Sequence, residues 1–463
     1  MQRMTGLDAC FLYMETRSVS MHTVTVLVFD VSAAPDGCSI EQVRRFIARR
    51  IHRVPRMRRR IMAVPLGLHH PVWIEDPAFE LARHVGGVRL AAPGDRRQLE
   101  VLVAQLLSTP MDRERPLWEL TVVEGLEGGQ VAIVCKVHHA MLDGGGIAEV
   151  VQQWLASEEV ETAVDVWAPE PVPGVLRLMA DAVRDRVRGI MELPRLIGET
   201  ALAAARLLGR ARGRVLDLSV PFTGPRASFN RRLTGRRSFA AAALPLADLL
   251  AIKSALGCTL NDAVLGVTAA GLRRLLDRGG EPHARSLLAS VPVATGIEDA
   301  RVCGNKVSSL LVSLHTDIDD PLARVRAIQA RTGAAKYAHD VEIGGLLEKW
   351  AEYGRPWMMR MLFGRVASLL PRPPINLVIS NIRGTAEARA LGGAELVHVY
   401  LAGPLLERIG INLTVWSYHD TVHLAAVACA DRPPDPQALL DDCAAALAEL
   451  VTATRPAALT ASP

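Results

Sequence analysis

The part of this chain best suited to chemistry is one short run. It reads His138-His139-Ala140-Met141-Leu142-Asp143-Gly144 and continues through Gly145 and Gly146. An imidazole with an ordinary pKa near 6.5 can take up a proton at neutral pH. To act as a general base it also needs a fixed tautomer and orientation, which neighbouring polar groups supply. His139 is the expected base. Asp143 either orients that ring directly or holds the loop through an arginine. The glycines let the backbone turn sharply and let a substrate come close. A metal site is the main chemical rival, because His138, His139 and Asp143 are all possible ligands. Adjacent side chains on an extended chain point apart, however, and no further Cys or His stands nearby at ligand spacing, so no metal is expected. No GxSxG elbow occurs, which argues against an acyl-serine route and leaves the base to activate an acceptor hydroxyl directly. A second doublet, His69-His70, runs into Pro71-Val72-Trp73 without an Asp-Gly and reads as structural.

The elements around the motif are those needed to present it. Residues 117–123 and 130–137 read as strands joined at Gly128-Gly129, so the histidines stand at the end of a buried strand. Ile147, Val150, Val151, Trp154 and Leu155 give the following segment a helical apolar face. Upstream, residues 24–29 form a β-rich run. Ser39 then caps a helix with Gln42 at the capping-box position, with Val43, Phe46, Ile47, Ile51 and Val54 on one face and Pro55 near its end. Nine arginines crowd residues 44–60, as a solvated face or as an anion or membrane-surface site. In the second half Thr259 caps a helix with Asp262 three residues on, continued by Ala263, Val264, Val267, Leu272 and Leu276. Strands are expected at 286–293, 307–314, 375–380, 411–418 and 422–428, and a terminal helix at 436–452. Between the halves the segment 171–237 carries fourteen arginines against five acids, a net charge of +9. Residues 175–208 within it look amphipathic. This segment reads as a basic helical crossover, either solvated or resting on an anionic membrane surface. The expected division is 1–165, a linker at 166–237, and 238–463. The fold class is α/β, with two mixed halves of similar size and a cleft between them.

Composition sets the outer limits. At 463 residues the chain suits two domains of about 200 residues each. Hydrophobic residues make up 49% and charged residues 22%, which is globular composition. Only 4% of residues are aromatic and the net charge is +4, so a nucleic-acid partner is not expected. Seven cysteines occur without a CxxC pair, which argues against a disulfide framework and suits a reducing cytoplasm. No apolar run reaches the length of a membrane span, and no signal peptide is recognisable. The expectation is a protein that is soluble or lies on a membrane face.

The motif His138-His139-Ala140-Met141-Leu142-Asp143-Gly144 resembles the active-site signature of the bacterial wax ester synthase/diacylglycerol acyltransferases. These belong to a wider group of CoA-dependent acyltransferases that includes chloramphenicol acetyltransferase and condensation domains. The resemblance covers nearly the whole chain. It includes Leu7-Asp8-Ala9, Phe11-Leu12, Glu15-Thr16-Arg17 and Met21-His22 near the start, then Pro65-Leu66-Gly67-Leu68 and Pro71-Val72-Trp73. Arg115-Pro116-Leu117-Trp118-Glu119, Thr259-Leu260-Asn261-Asp262-Ala263-Val264-Leu265, Gly304-Asn305-Lys306-Val307-Ser308 and Ser380-Asn381-Ile382 with Gly384 follow in order.

That resemblance implies two chloramphenicol-acetyltransferase-like domains, each a mixed sheet with helices, with an active-site tunnel between them. It implies acyl-CoA as co-substrate with no other cofactor. The acceptor is diacylglycerol, giving triacylglycerol, or alternatively a fatty alcohol, giving a wax ester. His139 takes the acceptor proton, His138 and Asp143 complete the catalytic motif, and Asp143 keeps the loop in shape. Gly144 belongs to the substrate site. Pro116, Leu117 and Trp118 line the acyl path or pack the core. Asn261 and Asp262 serve activity or cap a helix. The expected location is cytoplasmic, peripheral on the inner membrane face or on lipid droplets. The chain departs from the family pattern at Arg383, where a proline is usual, at Ala294 and Gly296, where a serine and an arginine are usual, and at His423-Leu424-Ala425-Ala426. The alternative is a weakly active or non-catalytic paralogue that binds lipid or acyl-CoA.

Overall fold

A computed structural model describes residues 1–34, 38–155, 167–211, 219–294, 307–339, 343–366 and 369–454. Gly296 and Gly304-Asn305-Lys306, singled out above, lie outside the described residues. Two six-stranded sheets dominate, each mixed and flanked by helices. The first runs in the order Ala390–Leu391, Ala394–Ala402, His22–Asp30, Gln130–His138, Trp118–Leu126, Val85–Arg89. The second runs Val307–Ser313, Leu288–Ala294, Leu377–Arg383, Ile411–Tyr418, Thr421–Cys429, Arg237–Pro245. A small three-stranded sheet joins Gln2–Arg3, Val72–Glu75 and Arg59–Met62.

The strand His22–Asp30 is buried along nearly its whole length. Side chains alternate across a strand, and here both faces are covered. Leu27 and Phe29 enter the core of the first half, whereas Val24, Val26 and Val28 enter a separate core between the two sheets. Gln130–His138 behaves likewise, with Ile133 and Val137 on one side and Ala132 and Val134 on the other. This two-sided burial explains why both strands read as continuous apolar runs. His138 shares the parity of Ala132 and Val134, so it sits on the inter-sheet side at the strand's end.

Sheet membership does not follow the expected boundary at residue 238. The strand Ala394–Ala402 leaves the second half and pairs antiparallel with His22–Asp30, Val399 opposite Leu27. The crossover is largely one helix, Val175–Ala211, of 37 residues with Pro194 inside it. The helix Leu260–Arg278 carries the capping box expected from Thr259 and Asp262. The box expected at Ser39 does not form. Ser39 is the N-cap of Ile40–Arg50, but its side chain makes no cap hydrogen bond.

Candidate active site

Within the first sheet, Gln130–His138 lies between two neighbours that fix its last residue. His138 stands opposite His22 in register, and its N–H donates to the Leu117 carbonyl at 3.0 Å. The chain then turns. Met141 N–H donates back to the His138 carbonyl at 2.8 Å, and His139 N–H donates to the Met21 carbonyl at 2.7 Å.

The two histidines have different surroundings. His138 is 1% exposed, and both ring nitrogens face protein groups. Nδ1 accepts from Ala140 N–H at 3.0 Å, so the ring proton belongs on Nε2, which lies 3.2 Å from Glu15 Oε1. Burial pushes the Glu15 carboxyl up, but the His138 ring, the Arg113 guanidinium and Met21 N–H together hold it well below the usual carboxylate range. Glu15 also accepts from Met21 N–H at 2.9 Å, while the Met21 carbonyl accepts from His139. One carboxylate therefore fixes the tautomer of His138 and anchors the residue that holds His139. The His139 ring is half-buried and stacks on Phe11, with centroids 4.2 Å apart and planes at 25°.

Asp143 is the N-cap of the helix Gly144–Trp154, its Oδ1 accepting from Gly146 N–H at 2.7 Å. A side-chain cap of this kind is worth about 1 kcal/mol, and here it fixes where the loop ends. The loop is braced from below by Arg56, which donates to the Met141 carbonyl at 3.0 Å. Arg56 and Asp8 form an ion pair at 3.6 Å with side-chain exposures of 3% and 0%. The Arg56 guanidinium also lies over the Trp73 ring, 5.2 Å from its centroid.

Gly144 sits where the halves meet. A Cβ there would lie 3.0 Å from Ile382 Cδ1 and 3.6 Å from Leu401 Cδ2, side chains on Leu377–Arg383 and Ala394–Ala402. Next to Ile382, Asn381 Nδ2 donates to Asn261 Oδ1 at 3.2 Å, which joins two motifs 120 residues apart. Gly384 ends that segment, and a Cβ there would collide with the Ser417 carbonyl at 2.1 Å. Arg383, in place of the usual proline, is exposed at the strand's last position, where a long polar side chain is accommodated.

The remaining expected residues lie elsewhere. Pro116, Leu117 and Trp118 are buried. Leu117 and Trp118 belong to the core of the first half, and Trp118 Nε1 donates to the Met57 carbonyl at 2.7 Å. Their tie to the motif runs through the Leu117 carbonyl. Asp262 is 1% exposed and spent on its cap and on Thr332 Oγ1, which donates to Oδ1 at 2.6 Å. His70 Nε2 donates to the Ala351 carbonyl at 3.2 Å, which leaves Nδ1 to accept from the Tyr13 hydroxyl at 2.9 Å, in keeping with a structural doublet. Among the described residues no group of three or more His, Cys, Asp or Glu is placed to hold a metal ion. Two open clefts of about 480 and 590 Å³ occur, one beside Glu100 and Phe239 and one beside Arg186 and Tyr353; neither is lined by His139. Glu15, Phe11, Met21 and Arg56 were not read from the sequence as site residues. Each reaches the motif from more than 80 residues away, and no local spacing carries that signal.

The family profile described as the wax ester synthase/diacylglycerol acyltransferase catalytic domain matches residues 4–264, and that of the WS/DGAT C-terminal domain matches residues 303–451. A Mycobacterium tuberculosis protein provisionally named a diacylglycerol O-acyltransferase is 36% identical over 440 residues, covering 94% of this chain and 93% of the relative. Another of that organism, with the same provisional name, is 34% identical over 474 residues, covering 98% of each. Among solved structures, the wax ester synthase/diacylglycerol acyltransferase from Marinobacter aquaeolei VT8 superposes with a TM-score of 0.70 at 25% identity, covering 98% of this chain and 100% of that one. The first condensation domain of the calcium-dependent antibiotic synthetase shares the fold, with a TM-score of 0.58 at 16% identity over 97% and 96% of the two chains. With both halves matched in order around the histidine loop, the chain belongs to the wax ester synthase/diacylglycerol acyltransferase family and carries its catalytic domain.

Proposed function

We propose that this enzyme transfers a long-chain acyl group from acyl-CoA to the free hydroxyl of diacylglycerol, with His139 as general base. The observation that carries the reading is the division of labour between the histidines. His138 is buried, its Nδ1 accepting from Ala140 N–H and its Nε2 lying 3.2 Å from Glu15 Oε1, whereas the His139 ring is half-buried and stacks on Phe11. His139 takes the acceptor proton as the hydroxyl oxygen attacks the thioester carbonyl. When the tetrahedral intermediate collapses, the carbon–sulfur bond breaks and the CoA thiolate takes a proton from the imidazolium. His138, Glu15, Asp143 and Arg56 position the loop. Gly144 lets the acyl chain and acceptor approach, and Asn261 with Asn381 shapes the opposite wall, where one donor to a developing oxyanion is typically worth about 3 kcal/mol. The reaction needs no bound cofactor beyond the acyl-CoA co-substrate.

Both substrates partition into lipid, so the proposed location is peripheral, on the cytoplasmic membrane face or on lipid droplets. No single helix among the described residues is long and apolar enough to cross a bilayer. A fatty alcohol acceptor is the second reading, supported by the dual activity in the name of the Marinobacter enzyme. The test offers labelled palmitoyl-CoA with diacylglycerol and with hexadecanol to purified protein. Labelled triacylglycerol is expected, falling roughly a hundredfold or more for His139→Ala. Acylation of a water-soluble alcohol or amine alone would end the lipid assignment, and an unchanged rate in the variant would remove His139 from the mechanism.

A further inference from the structure

The crossover helix Val175–Ala211 has three longitudinal faces, and among the described residues one of them is buried. Leu178, Ala182, Leu196 and Ala203 are buried against the body of the protein. On another face, Leu176, Val183, Val187, Ile190 and Ile197 recur at steps of seven, four, three and seven, which at 100° per residue keeps them within an arc of about 80°. These side chains are exposed, Leu176 at 83% and Ile190 at 67%, with Met191 at their border at 77%. Alongside runs a third face of arginines. Arg177, Arg184, Arg188, Arg195 and Arg206 fall within an arc of about 40° and are all exposed. The helix is about 55 Å long, so the ridge and the stripe run side by side across a large part of the molecule.

An exposed apolar ridge on this scale needs an occupant. We infer that this face of Val175–Ala211 lies in an anionic lipid surface, the ridge inserted among acyl chains and the arginine stripe at the level of the phosphate headgroups. Charge complementarity selects this occupant: a second copy packed ridge to ridge would bring two arginine stripes together, whereas anionic headgroups neutralise one. Asp181 and Glu199 pair with Arg184 and Arg195 at 2.8 and 2.9 Å, but these are exposed pairs, weak enough to yield to phosphate. The same region of the fold carries a further exposed apolar stretch. Tyr353 donates to the Gly189 carbonyl at 2.9 Å, and four residues on begins a segment with Trp357 61% exposed and Met361 47% exposed. The inference rests on the reading that the acceptor is a lipid, and it names the surface from which that lipid is drawn.

The test uses the full chain and vesicles of phosphatidylcholine with or without phosphatidylglycerol. Flotation with the mixed vesicles is expected, weakening as salt rises. Ile190→Glu with Met191→Glu is expected to reduce partitioning at least about tenfold on both vesicle types, because the apolar ridge is spoiled. Arg184→Gln with Arg188→Gln is expected to weaken binding to the mixed vesicles only, about fivefold per arginine. All four positions are exposed, so melting temperature should hold, and turnover of detergent-dispersed substrate should hold with it. Flotation that survives both pairs of changes overturns the inference. So does a ridge variant that turns a dimer into a monomer in size-exclusion chromatography, since the ridge would then be covered by a second copy. Vesicle binding is read without turnover, so its failure leaves the acceptor assignment standing, and failure of the acceptor assignment leaves the binding result standing.

Discussion

Replacing Arg56 with methionine separates what holds the fold from what holds the histidine loop. Arg56 and Asp8 are 3% and 0% exposed, with 3.6 Å between them. Removing one partner of a buried pair typically costs about 3–5 kcal/mol. For 463 residues the entropy of unfolding is about 1 kcal/mol per kelvin, so a cooperative transition should move down by about 3–5 °C. Adding Asp8→Asn removes the carboxylate charge that Arg56 balanced and should return more than half of that loss. Turnover should behave differently. The Arg56 guanidinium also donates to the Met141 carbonyl at 3.0 Å, inside the loop that carries His139. A misplacement of about 1 Å can cost up to a hundredfold in rate, and Asp8→Asn does nothing to restore that bond. The double variant is therefore expected to regain melting temperature but not kcat. Differential scanning calorimetry and acyl-transfer assays on the single and double variants make the comparison. A single variant less than about 1 kcal/mol destabilised, or a double variant with wild-type kcat, would refute the account of Arg56 as both counter-ion and loop brace.

Three further outcomes follow from the geometry. Gly144 is the first residue of its helix, where alanine is ordinarily the better helix former by about 1 kcal/mol; the contact with Ile382 reverses that sign, so Gly144→Ala should lose stability and about tenfold in turnover, and Ile382→Val should recover both. Asp262→Ala should cost about 2–3 kcal/mol through its cap and its Thr332 bond, whereas Asn261→Ala should leave melting nearly unchanged and lower kcat; equal stability losses would contradict the separation. Burial pushes the His423 imidazole down to about 4, with His398 beside it at 3.2 Å. The unfolded chain then binds the extra proton below the usual pKa of 6.5, so stability is full above it and falls as pH drops toward 4, by about 2 kcal/mol at pH 5 for this residue; His423→Gln should flatten the melting profile between pH 7 and 5, and an unchanged slope would count against the buried ring.

The histidine loop was legible in the sequence because its parts are local. A buried strand, two histidines and a glycine-led helix announce themselves within twenty residues, and the capping box at Thr259 and Asp262 is equally short-range. What could not be read is what arrives from elsewhere in the chain. Glu15 meets His138 across 123 residues, and Arg56 meets Met141 across 85. Arg237–Pro245 reads Arg-Ser-Phe-Ala-Ala-Ala-Ala-Leu-Pro, whose alanines favour helix, yet it is the edge strand beside Thr421–Cys429. Burial decides it, for Ala240 and Ala241 are 0% and 2% exposed, and small side chains let Arg96–Ser108 and Pro436–Thr454 pack close. Trp118 suited the acyl path and the core alike, since one residue type serves either purpose; its packing among the core residues of the first half is a matter of the fold.

The strand Ala394–Ala402 has a further consequence for how the molecule is made and how it moves. A ladder of main-chain bonds stitches the late part of the chain to His22–Asp30, so the two lobes are fastened together and cannot swing apart as hinged jaws without tearing a sheet. During synthesis the early strand waits for a partner more than 360 residues downstream, its edge bare until that partner has been made. A fragment cut at the crossover would keep that bare edge permanently and is expected to aggregate rather than stand alone, although it holds every residue of the histidine motif.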